Sequence, residues 1–289
     1  MKIKQNLGII IAVVIVLAGL AYLSRGTIQN VWYGFQSPDL PPATSFQAPV
    51  IQAETVVVPS ETTAFEPGES KSENYVLDTS TAIKTQPKDP LEFSGELPES
   101  VNLDVPFTSQ APFANWDMPY QETCEEASVI MVDAFYKGET GAMNKYTADE
   151  RLKKMVAFES SLFGYYEDTT AEQTADLVRA YYGYENVIVK PLKSVDDIKE
   201  SLALGYPVII PAAGKLLGNP YFSGNGPPYH MLVVRGYTPD FFITNDPGTR
   251  RGQGFTYTYD TIMNAAHDWT GSKETVEQGR KFMIIMIPN

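Results

Sequence analysis

The chain predicts an α+β fold in which helices come first and an antiparallel sheet comes second. Three observations point there. Residues 122–205 carry apolar side chains at helical spacing behind Ser and Thr caps. Residues 207–287 carry short apolar or alternating runs instead. Thr238, Pro239 and Asp240 separate two of those runs by so little chain that they must form a hairpin, and helices succeeded by strands argue for α+β rather than βαβ repeats.

Taken in order, residues 103–107 (LDVPF) read as a short opening strand. Residues 122–137 form a helix with Ala127, Ile130, Met131, Ala134 and Phe135 on its inner side. Thr147 to Glu150 and Thr170 to Gln173 fit capping boxes, the second opening a helix that ends near Gly183. Ser194 begins another helix, stopped by Gly205. Strands are expected at 207–212, 230–237, 241–245, 254–259 and 282–287, with a short helix at 259–267. Val233, Val234, Ile243 and Thr244 are expected to pair across the hairpin, which returns Asp246 beside His230.

These elements occupy residues 99–289, one domain; the 289-residue chain spends the rest otherwise. Residues 7–23 contain no charge, with Lys2 and Lys4 before them and Arg25 after. A 17-residue helix spans roughly 25 Å, the short end of what a bilayer requires, so residues 1–26 read as a transmembrane signal-anchor. Cleavage after Ala21 would release the chain instead, but the apolar run exceeds an ordinary signal core. The basic N-terminus holds itself in the cytoplasm, so the chain beyond Arg25 is expected outside, on a single-pass protein. Residues 27–98 hold nine prolines and ten acidic against three basic side chains. That composition predicts a disordered tether with a span of roughly 50 Å.

The net charge of −13 divides into +3 for residues 1–26, −7 for the tether and −9 for the domain. No basic stripe is interleaved with aromatics, which excludes nucleic acid as a partner. A monomer is expected. One cysteine excludes an internal disulfide, and without cysteine pairs or clustered histidines no metal or other cofactor is expected.

Cys124 stands at a helix start, where the macrodipole and free N–H groups favour a thiolate. Glu125 and Glu126 oppose this, so a histidine is required. His230 opens a strand, whereas His267 lies at a polar helix end; His230 is the better base. A carboxylate from Asp246 would hold the imidazole in its productive tautomer.

Together SQAP, TCEEAS, PYHMLVVRGY, TNDPG and a late helix ending in Trp269 resemble the C39-like cysteine peptidases, in their free-standing bacterial branch. The resemblance covers residues 99–289 and implies a papain-like fold, helices packed on an antiparallel sheet, with Cys124, His230 and Asp246 as triad. It also implies a glutamine donor to the oxyanion: Gln110, 14 residues ahead of the cysteine, is preferred to Gln121. The implied activity is hydrolysis of peptide or cell-wall peptide bonds through an acyl-enzyme. Tyr221 and Tyr229, in the Gly/Pro-rich stretch before His230, are candidate substrate-binding residues, as is Trp116; each also fits an ordinary structural role. Two other functions fit the same parts: a catalytically silent papain-like module that binds peptide or cell wall, and a peptidoglycan amidase or endopeptidase.

Overall fold

The computed structural model describes residues 38–47 and 91–289. The expected signal-anchor and most of the expected tether lie outside those residues. No helix among the described residues is long and apolar enough to cross a membrane.

Helices lead and strands come after, as the patterning predicts. A two-residue strand β1 (Val101–Asn102) precedes α1 (Cys124–Tyr136), α2 (Lys145–Phe163) and α3 (Ala171–Tyr182). Then come β2 (Asn186–Pro191), α4 (Val195–Ala203), β3 (Val208–Ala213), α5 (Gly214–Leu217), β4 (Tyr229–Tyr237), β5 (Phe241–Asn245), β6 (Gln253–Thr258), α6 (Tyr259–Ala265) and β7 (Phe282–Ile287). The sheet is antiparallel throughout, in the order β2-β7-β3-β4-β5-β6, with β1 paired to the far end of β4. Every residue of β3 and β4 is buried, so these central strands read as continuous apolar runs rather than alternations.

The capping box at Thr170 forms as expected, and Ser194, expected to begin a helix, forms one too, each side chain exchanging hydrogen bonds with the residue three positions on. Thr147 is not a cap. Asn144 takes that role by accepting from the Tyr146 N–H, which starts α2 three residues earlier and leaves Thr147 inside its first turn. Residues 103–107 are not a strand either, since only Leu103 and Phe107 make isolated bridges and Pro106 has no N–H to give. Strand β1, the half-exposed edge strand β2 and the four-residue α5 went unread in the sequence.

Residues 38–47 fall inside the stretch expected to be an unstructured tether, yet they lie against the domain. Thr44 N–H donates to Asn102 O at 2.8 Å and Asp104 N–H to Thr44 O at 2.7 Å, adding a parallel bridge beside β1. Asn102 Nδ2 donates to Pro41 O at 2.6 Å. Phe46 then sets its ring edge-on against Phe135 and Tyr136, at 5.6 and 4.9 Å, over the last turn of α1. Proline-rich chain is poor at forming its own core but is already extended, so a few hydrogen bonds and one aromatic anchor suffice to dock it.

Candidate active site

Helix α1 supplies the thiol. Its hydrogen-bond ladder begins with Ala127 donating to Thr123 O, which leaves the Cys124 N–H outside the ladder at the positive end of the helix. Cys124 is 5% exposed and borders a cleft of about 470 Å³. Burial chiefly, and then Glu125, push its thiol well above the ordinary pKa, against the pull of the Met231 N–H that faces the sulfur. The thiol donates to Glu125 Oε2 at 3.0 Å.

Strand β4 supplies the imidazole of His230. Arg235 forms a bulge, so Val234 faces Thr244 and Val233 faces Asn245, while Ile243 pairs with Gly236 rather than with a valine. At the bulge Arg235 Nη1 donates to Leu103 O at 2.8 Å. Asp246, the residue after β5, still arrives beside His230: Nε2 lies 2.8 Å from Oδ1, with both side chains buried. Nε2 being committed there, Nδ1 is the nitrogen left for a proton from elsewhere.

Asp246 is held on every side. Oδ1 also accepts from the Gly248 N–H at 3.0 Å, and Oδ2 accepts from Tyr257 OH at 2.6 Å and Asn219 Nδ2 at 3.0 Å. Burial alone would raise its pKa, but the charge and hydrogen bond of His230 together with the other donors outweigh it and leave the carboxyl below its usual range. The imidazole is clamped too. Phe222 stands edge-on to it with centroids 5.4 Å apart, and a Cβ at Gly248 would come within 2.8 Å of Phe222 and 2.9 Å of His230.

Six of the seven residues singled out in the sequence border this cleft, and the seventh, Asp246, is fully buried behind His230. Trp116 sits exposed at the rim, and Tyr221 packs against Phe255 under the guanidinium of Arg251. Tyr229 is buried, its hydroxyl donating to Thr169 O at 2.9 Å. Gln110 departs from its expected role. Its Nε2 donates to Tyr120 O at 2.9 Å and to Gln121 O at 3.1 Å, so the amide braces the turn ahead of Cys124 and its donors are already engaged. Gln121 is exposed at the same cleft. His267 lies apart, its Nδ1 on Gly279 O at 2.8 Å. At one end Lys273 bridges Glu122 and Asp168, at 3.0 and 3.2 Å.

Sequence reasoning missed Asn219, Tyr257 and Gly248, which meet Asp246 from a loop, from β6 and from the turn after it. No local motif marks the first two; Gly248, in the NDPG turn, carried the only available signal. Among the described residues no group of three or more His, Cys, Asp and Glu side chains has a metal-ligating arrangement.

A sequence model described as the Peptidase C39 like family matches residues 102–276. Among solved structures, a crystal structure from Bacillus anthracis described as that of a C39-like peptidase is 16% identical, with 66% of this chain and 100% of that one covered at a TM-score of 0.42. No curated protein matches the chain.

Proposed function

Because the chain belongs to the peptidase C39-like family, we propose that it is a cysteine peptidase whose cleft hydrolyses peptide bonds through Cys124, His230 and Asp246. The buried His230–Asp246 pair at the same cleft as a helix-start thiol is the observation that carries this reading. Asp246 accepts from Nε2–H and thereby leaves Nδ1 as the base. The Cys124 S–H proton passes to Nδ1, sulfur attacks the carbonyl carbon, and the oxyanion forms near the Cys124 N–H. Imidazolium then protonates the leaving amine, and water, deprotonated by the same nitrogen, releases the acyl group.

The substrate is a peptide or a cell-wall peptide. Tyr221, Tyr229 and Trp116 border the groove that would receive it, and residues 7–23, read as a single-pass anchor, would set the domain outside the cytoplasm. The raised pKa of the buried thiol favours a second reading, a silent peptide-binding module. One experiment separates the two. On a denatured protein substrate, Cys124→Ala and His230→Ala are expected to abolish turnover while thermal unfolding stays cooperative. Turnover retained in a folded Cys124→Ala protein would exclude the peptidase, and no turnover in the parent over a broad peptide library would favour the binding module.

A further inference from the structure

The carboxyl of Glu125 touches the reacting sulfur. Its Oε2 lies 3.0 Å from Cys124 Sγ and its Oε1 accepts from the Thr169 N–H at 3.2 Å, in a side chain that is 1% exposed. The titratable groups around it are acids: Glu126 beside it on α1, Glu159 from α2, Asp168 from the loop before α3, and Tyr229 from β4. His230, next on β4, is turned to Asp246, and Lys273 is engaged with Glu122 and Asp168. A buried carboxylate with backbone donors but no cation and with acidic neighbours is far less stable than the neutral acid.

Resting on the peptidase reading of this cleft, we propose that Glu125 is a further catalytic residue: as a neutral acid it donates its O–H to the Cys124 thiolate, and as a carboxylate it shuts the nucleophile off. In the resting pair the S–H donates to Oε2. Once that proton has moved to His230 Nδ1, sulfur can only accept. It then takes the Met231 N–H and the O–H of Glu125, which turns toward it. As the S–C bond forms, the carbonyl π pair moves onto oxygen. Glu125 keeps its own proton throughout, and the sulfur's proton leaves with the amine. If Glu125 ionises, its charge lies 3.0 Å from the sulfur and opposes thiolate formation directly. Burial, reinforced by Glu159 and Asp168, pushes this carboxyl up to about 8, so the loss falls on the alkaline side of neutrality.

Cys124 is the sole cysteine, so iodoacetamide labelling of the full chain reports on it alone. Rates are measured from about pH 5 to about pH 10, spanning both carboxyl and thiol ionisation, in the parent, His230→Ala and Glu125→Gln. The parent is expected to label fast near neutrality and to slow, by roughly tenfold per pH unit at the steepest, as pH rises through the Glu125 range. Glu125→Gln keeps a donor that cannot ionise and should stay fast where the parent slows. A parent rate that only climbs with pH, as a free thiol's does, overturns the proposal without need of any variant. So does a folded Glu125→Gln protein with the parent's profile, or one slow at every pH. If His230→Ala still slows labelling in those cases, the peptidase reading survives; if His230→Ala changes nothing, both fall.

Discussion

At the residue scale, the proposed triad depends on how firmly Asp246 is held ionised and aimed. Asp246→Asn removes the acceptor that selects the His230 tautomer, and by analogy with such triads kcat/KM is expected to fall by about 10³-fold or more with folding intact. Tyr257→Phe is subtler. It deletes the 2.6 Å hydrogen bond on Oδ2 but leaves Asn219 in place, so it should cost about 2 kcal/mol of stability in urea unfolding. Because Asp246 would then hold its proton more tightly, the acid limb of the pH–rate profile should move upward; an unmoved limb would deny Tyr257 this role. Cys124, His230 and Asp246 were legible because their chemistry restricts the residue types and each lies at an element boundary that patterning can find. Asn219 and Tyr257 were not, since an amide in a loop and a tyrosine on a strand are ordinary until the sheet brings them to one carboxylate.

At the element scale, α1 connects two functions. Its first turn presents Cys124 to the cleft, and its last turn seats Phe46. Thirteen residues of helix separate these ends by about 18 Å. Phe46→Ala should therefore lower stability by about 2 kcal/mol in thermal unfolding and increase hydrogen exchange at the Asp104 N–H, while leaving the Cys124 alkylation rate unchanged. A changed alkylation rate would mean that the docked segment acts on the cleft. Elements with strong local signals, the helices capped by Thr170 and Ser194 and the long β4, were read correctly. Edge strand β2 and the segment at 38–47 were not, because edge pairing and docking depend on a partner surface that is distant in sequence.

At the scale of the whole molecule, the domain encloses a set of acids that prefer to be neutral. Burial raises Glu125, Glu126 and Asp168 and takes Glu159 up to about 7, and the carboxyls of Glu126 and Glu159 face each other between α1 and α2. The folded chain thus holds protons that the unfolded chain has already released above the ordinary carboxyl range, so stability falls as pH rises from about 4.5 to about 8. Asp246, lowered instead, loses its contribution only when pH drops below that window. The thermal midpoint is expected to be higher near pH 5 than near pH 8, and Glu126→Gln should flatten that slope; a midpoint that rises with pH would contradict the buried neutral acids. The sequence by itself determined the class of fold and singled out Cys124, His230 and Asp246, because periodicity, capping and scarce reactive residue types are local properties of the chain. Only the tertiary structure decided that the Gln110 amide braces a turn, that Glu125 touches the sulfur, and that Asn219 and Tyr257 hold Asp246. Direction, burial and hydrogen-bond partnership arise where segments far apart in sequence are packed together.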